Sequence, residues 1–410
     1  MIIAGWLMLP DEGRSVRLEL GFIEVRDGHI TEVELGDPVF MPDRGGPGTI
    51  ICPGFIDAHV HLPQFPCIGA HGMELLDWLA RVIFPAEARW EDAAVAAAQA
   101  EASIRAMLSF GTTSFAAYAT VHHAGARAAI RVGHEFGVRA MIGQVLMDRE
   151  APAELIRPAE QLLEEASQLR GLGRVEAAIT PRFAISCTPE LLAGAGRLSA
   201  ELRAPIQTHL AETERECERV TELFGGTRYA KIYDEAGLLN DRTILGHGIR
   251  LDEEDRGLLR ARGSVIAHCP TANLFLGAGS LDRAATDKAG VRLALGSDVA
   301  GGPDRSMVRV ARAMLETARW RDDAAPSPGE CWWQITAGNA GALGFADAGR
   351  LATGQPADLV LIEPDAPLGL GAEGATDPRD PLAALLYGWD DRWVRRTLVR
   401  GEVVYSAPGA

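Results

Sequence analysis

Between residues 54 and 298 the chain repeats one pattern: a short apolar run, a loop, then a stretch of helical period. Eight such runs read as strands, "GFIDAHV", "GTTSFAAYA", "VRAMIGQVLM", "RVEAAIT", "APIQTHL", "RTILGHG", "GSVIAHC" and "VRLALGSD". Segments such as "EDAAVAAAQAEASIRAMLSF" and "ARAAIRVGHEFG" supply the intervening helices. Eight strand-then-helix units in series predict an α/β protein closed as a (β/α)8 TIM-type barrel. The rival is an open, doubly wound sheet; the strand count favours closure, and no G-x-G-x-x-G opens the first helix.

Both chain ends have another texture. "GFIEVRDGHITEVEL" alternates apolar and polar residues around "DG", the pattern of a hairpin, and "GRLATGQPADLVLIEP" and "VRRTLVRGEVVYS" repeat it near the far end. A small β-sandwich domain is therefore expected from residues 1–52 and 346–410, flanking a barrel over 53–345. The Pro/Gly-rich stretch at 364–380 reads as a surface linker or lid.

Charge narrows the partners. Forty basic residues stand against 56 acidic ones, a net charge of −16, which repels phosphate backbones and anionic membrane surfaces and argues against a nucleic-acid partner. The six cysteines form no C-x-x-C pair, no run is apolar enough to span a bilayer, and the opening lacks the basic segment of a leader. A cytoplasmic protein is expected.

Barrel enzymes carry their chemistry where strands end. Five of the ten histidines fall there: His59 and His61 on the first strand, His209 on the fifth, His247 on the sixth, His268 on the seventh; Asp298 closes the eighth. Residues i and i+2 of a strand share a face, so His59 and His61 can share one metal. His209 would add a third imidazole and Asp298 a carboxylate, a donor set that suits zinc activating water. A lone H-x-H is as readily a hydrogen-bonded strand end; the further polar strand ends favour the metal. Lysine occurs only at 231 and 288, so no carbamylated lysine at the fourth strand can bridge two metals, and one ion per chain is expected. Glu212, three residues after His209 in "THLAE", can face a metal-bound water as a proton shuttle, or can be an acid opening a helix.

The motifs "PGFIDAHVHLPQF", "WLARVIFPAEARW", "TPRFAISC", "THLAET", "GHGIRL", "AHCPTANLFLGAG" and "GSDVAGG", in this order, resemble the amidohydrolase superfamily and within it the guanine deaminase family. The resemblance implies a zinc ion held by His59, His61, His209 and Asp298, with Glu212 as general acid/base. It implies that His247 orients the reacting oxygen, and that Gln64, Arg182 and Phe183 contact the substrate. Arginine offers a planar fork to the O6/N7 edge of guanine, an amide donates and accepts, and a phenyl ring packs on a purine face. His268 is placed behind the ligands, and His122 and His123 in a loop or at the rim. The implied reaction is hydrolysis of guanine at C2 by metal-activated water, giving xanthine and ammonia, in a homodimer. The alternatives are a relative acting on 8-oxoguanine, a pterin or a triazine, and a non-enzymatic scaffold of the same fold.

Overall fold

The computed structural model describes residues 1–11, 13–36, 41–321, 324–365 and 380–409. Most of the stretch expected to be a linker or lid, 364–380, lies outside the described residues. The chain divides into two compact units, one of Met1–Asp57, Arg105–Ser114 and Ser306–Ala410, the other of Ala58–Ile104 and Phe115–Arg305.

The terminal strands are β1 (Ile2–Asp11), β2 (Ser15–Arg26), β3 (His29–Leu35) and β4 (Arg44–Pro53). The barrel strands are β5 (Phe55–His61), β6 (Thr112–Tyr118), β7 (Arg139–Leu146), β8 (Val175–Pro181), β9 (Ile206–Leu210), β10 (Thr243–His247), β11 (Val265–His268) and β12 (Arg292–Leu295). Then follow β13 (Leu359–Ile362), β14 (Val394–Val399) and β15 (Glu402–Ser406).

Strands from both chain ends make one seven-stranded sheet, in the order β15-β14-β13-β4-β1-β2-β3. The "DG" signal marks its hairpin: Asp27 and Gly28 both have positive φ, 51° and 79°, the handedness that matches the twist of β2 and β3. Ile3, Leu7, Ile23, Ile30, Ile51, Leu359, Leu361 and Leu398 form the core against this sheet.

The other sheet has eight strands in sequential order, β5 through β12. Strands β5, β6, β7, β9, β10 and β11 are buried along their whole length, as strands covered on both faces must be. This burial is why they read as apolar runs without alternation. The eighth run departs from its expected extent: β12 ends at Leu295, three residues before Asp298. Past that point the chain turns onto β5, where the Asp298 N–H donates to the His59 carbonyl at 2.8 Å and the His61 N–H to the Val299 carbonyl at 3.2 Å. These two bonds join the last strand's extension to the first strand and nearly close the barrel. Among the described residues no helix is long and apolar enough to cross a membrane.

Candidate active site

Each polar strand end reaches the mouth of the barrel through a local backbone device. His59 and His61 leave the same face of β5, with ring centroids 5.1 Å apart. His247 ends β10 with φ 70°, Asp298 follows β12 with φ 49°, and Ala211 follows β9 with φ 50°. Left-handed backbone at non-glycine residues costs about 1–3 kcal/mol each and concentrates where a site imposes it. Gly296 makes the approach of Asp298 possible: a Cβ there would lie 2.5 Å from His59 Cβ and 2.9 Å from its backbone nitrogen.

Hydrogen bonds fix which nitrogens face the centre. His209 Nδ1 donates to the Arg182 carbonyl at 2.7 Å, and His247 Nδ1 to Asn273 Oδ1 at 2.9 Å. Both rings are thus left with a bare Nε2 pointing inward. His61 Nε2 lies 3.2 Å from His209 Nε2, and Asp298 Oδ1 lies 3.3 Å from the Nε2 of both His59 and His61. One ligand atom from each of His59, His209, His247 and Asp298 lies within 4.8 Å of every other, and all four residues are buried. His61, absent from that tightest quartet, closes on the same point through its contacts with Asp298 and His209.

The electrostatics suit a cation. Burial pushes the His209 imidazole well below its ordinary pKa, helped by His59, His61 and His247. Burial likewise takes His61 down to about 4, against the pull of Asp298. Burial alone would raise the Asp298 carboxyl, but hydrogen bonds from His59 and His61 and the nearby His247 hold it well below the carboxylate range. Bare Nε2 atoms on His209 and His247, with His59, His61 and the Asp298 carboxylate beside them, are donors suited to a divalent metal, so the group can bind a metal.

Glu212 stands beside this group. Its Oε2 is 3.4 Å from His247 Nε2, and its Oε1 is buried with no partner among the described residues. Burial pushes its carboxyl well above the ordinary range, with Asp298, Glu216 and Glu74 adding to the shift, the direction a proton donor needs. It does not open the following helix. Thr213 is the N-cap of Glu214–Leu223, Glu214 and Glu216 occupy the first turn, and Glu212 precedes the cap.

A pocket of about 370 Å³, open in part to solvent, adjoins these groups, lined by His61, Gln64, Arg182, Phe183, Glu212 and Asp298 among others. Three residues that the sequence reading had not singled out shape it. Glu87 pairs with Arg182, its Oε2 2.6 Å and its Oε1 2.8 Å from Arg182 Nη1, and Oε1 also accepts from Gln64 Nε2 at 3.0 Å. Removing one partner from a buried ion pair of this kind costs about 3–5 kcal/mol. Trp78 lines the cavity, and its indole N–H is buried with no acceptor among the described residues. Tyr118, the last residue of β6, packs its ring 4.5 Å from that of His61 and 4.8 Å from that of His209. "WLARVIFPAEARW" contained Trp78 and Glu87, and the strand-end rule could have found Tyr118.

His122, His123 and His268 are not members of the group able to bind a metal. His123 Nδ1 bonds Gln144 Oε1 at 2.8 Å at the start of the helix His123–Glu135, and His122 Nδ1 lies 3.4 Å from Arg157 Nη2. His268 is buried, and its carbonyl accepts from the Gly296 N–H at 3.0 Å.

Fold and site together define an α/β-barrel protein with a group of histidines and an aspartate at its strand ends that is able to bind a metal. Residues 50–404 match the model of the amidohydrolase family, and the chain belongs to that family. Its relatives include guanine deaminases. The enzyme of Escherichia coli (strain K12) is 34% identical over 371 residues, covering 88% of this chain and 84% of that protein. The solved guanine deaminase from Bradyrhizobium japonicum superposes with a TM-score of 0.92 at 28% identity, over 99% of both chains. The structure from C. acetobutylicum with guanine bound in the active site superposes with a TM-score of 0.89 at 27% identity, over 98% of this chain and 99% of that one.

Proposed function

We propose that this protein is a zinc-dependent guanine deaminase that hydrolyses guanine at C2 to xanthine and ammonia. One observation carries the reading: a His/Asp group able to bind a metal, a carboxyl whose pKa burial raises and a guanidinium suited to a purine edge meet at a single pocket. The activity of the E. coli relative and the guanine bound in the C. acetobutylicum structure support it.

The proposed zinc ligands are His59, His61, His209 and Asp298. His61 is preferred to His247 because its Nε2 lies against both His209 and Asp298, whereas the nearest acid to His247 Nε2 is Glu212, at 3.4 Å against 3.9 Å for Asp298. Imidazole and carboxylate donors suit zinc, which when bound supplies a Lewis acid that brings the pKa of water from 15.7 to about 7.

The chain's own residues do the rest. Arg182 and Gln64 hold the O6/N7 side of guanine, Phe183 packs on the ring face, and C2 is turned toward the histidines. As water oxygen bonds to C2, Glu212 gives its proton to ring nitrogen N3. Asp298 takes the proton that water loses, and His247 holds the new oxygen. Return of the N3 proton and transfer of a proton to the amino nitrogen break the C2–N bond and release ammonia. A net charge of −16 suits a free base over a polymer.

The same reading puts the protein in the cytoplasm, in keeping with six cysteines that are all thiols, and makes it a homodimer by resemblance to its family. Light scattering tests the dimer. A panel of guanine, 8-oxoguanine, a pterin and an aminotriazine tests the substrate. Guanine should have the highest kcat/KM, and preference for another ring would reassign the enzyme within its family.

A further inference from the structure

We propose that Glu87 is a positioning residue that sets which ring edge the cavity reads; the inference rests on the guanine reading above. Glu87, Arg182 and Gln64 are 1%, 2% and 1% exposed, so their mutual bonds are made away from water. Glu87 is held in turn by the short helix Phe84–Ala88, with its carbonyl accepting from Thr120 Oγ1 at 3.2 Å.

This one carboxylate fixes two cavity-lining side chains. Arg182 Nη1 is committed to both Glu87 oxygens, and the Phe84 ring lies 5.4 Å from Arg182 Cζ, so the plane of the guanidinium is set from two directions. Gln64 is held at both ends of its amide, with Nε2 donating to Glu87 and Oε1 accepting from the Ala300 N–H at 3.3 Å. Arg182 and Gln64 line the cavity, and Glu87 touches them from outside that lining. Its charge also offsets that of Arg182. The edge therefore selects by the direction of its N–H groups more than by net charge, which favours a neutral fused ring with neighbouring oxygen and nitrogen acceptors.

The test uses full-length, zinc-loaded protein and two ligands, guanine as substrate and 2-aminopurine, which lacks the 6-oxygen, as competitor. In Glu87→Gln, KM for guanine should rise at least about tenfold with kcat nearly unchanged, the mark of lost uniform binding. The Ki of 2-aminopurine should move less than about threefold, and adding Arg182→Ala should make the double variant no worse than Arg182→Ala alone, because coupled residues are not additive. Equal weakening of both ligands, or losses that add in full, would overturn the role. Zinc content and thermal unfolding report whether the variant is intact; should Glu87→Gln not fold, Glu87→Asp, which keeps the charge but shortens the reach, is read by the same ratio. Wild-type protein that leaves guanine unchanged refutes the guanine reading, whereas an unchanged ratio in active variants refutes only the role of Glu87.

Discussion

His209 Nδ1 bonds the carbonyl oxygen of Arg182 at 2.7 Å, so the residue whose side chain lines the pocket also orients, through its backbone, an imidazole of the group able to bind a metal. The two tasks are separable because they use different atoms. Arg182→Ala keeps the carbonyl and should keep near-normal zinc content, while kcat/KM for guanine falls at least about a hundredfold, as expected when a hydrogen-bonding site loses its donor. Metal analysis beside steady-state kinetics checks this; a variant that loses its zinc contradicts the separation.

Glu212→Gln tests the proton. The amide fills the same space beside His247 but cannot supply an acidic proton. Zinc should remain near one ion per chain by the account above, and kcat should fall by about 10²–10⁴, the usual contribution of a positioned acid/base group. Turnover close to wild type would take Glu212 out of the mechanism.

Gly296→Ala tests the closure between the strands that carry His59 and Asp298. The added methyl would sit 2.5 Å from His59 Cβ, and His59 belongs to a fully buried strand that can give little. A loss of about 1–3 kcal/mol in stability is expected from overpacking, with weakened zinc binding. Urea unfolding and metal titration measure the two effects; an unperturbed variant would show that this approach is looser than the structure has it.

His268 tests the electrostatics of the buried rim. Burial lowers its pKa to about 3, with Arg283 and His247 adding to the shift. The unfolded value is about 6.5, so between the two the unfolded chain binds the extra proton. Its share of stability is whole above about pH 6.5 and is lost as pH falls toward 3. Between pH 6.5 and 5 that share is about 2 kcal/mol, at about 1.4 kcal/mol per pH unit. Chelator-treated wild type should lose this much more stability than chelator-treated His268→Gln over the same interval. Parallel pH profiles would show that His268 is not held neutral.

The sequence was most legible where one local rule decides the outcome. Parallel strands buried over most or all of their length appear as largely apolar runs, so the barrel strands could be counted, and the two-residue period put His59 and His61 on one face. Asp298 was found as a strand-end residue although β12 stops at Leu295, because the chain beyond still leads it to the barrel mouth. Contacts across the ring left no such trace. Glu87 lies 95 residues from Arg182, and nothing local to "FPAE" says which cation its carboxylate meets. Tyr118 and Trp78 were passed over for a related reason: an aromatic residue beside an apolar run reads as core until the histidines it faces are known.

On the proposed reading, this barrel removes the amino group from guanine with one metal at its histidines. Purified protein, assayed for zinc by elemental analysis, should be followed with guanine in ¹⁸O-labelled water. About one zinc per chain is expected, with one ammonia released per guanine consumed and xanthine carrying a single heavy oxygen at C2. Zinc-replete protein that leaves guanine intact, or that makes xanthine without the label, would contradict it.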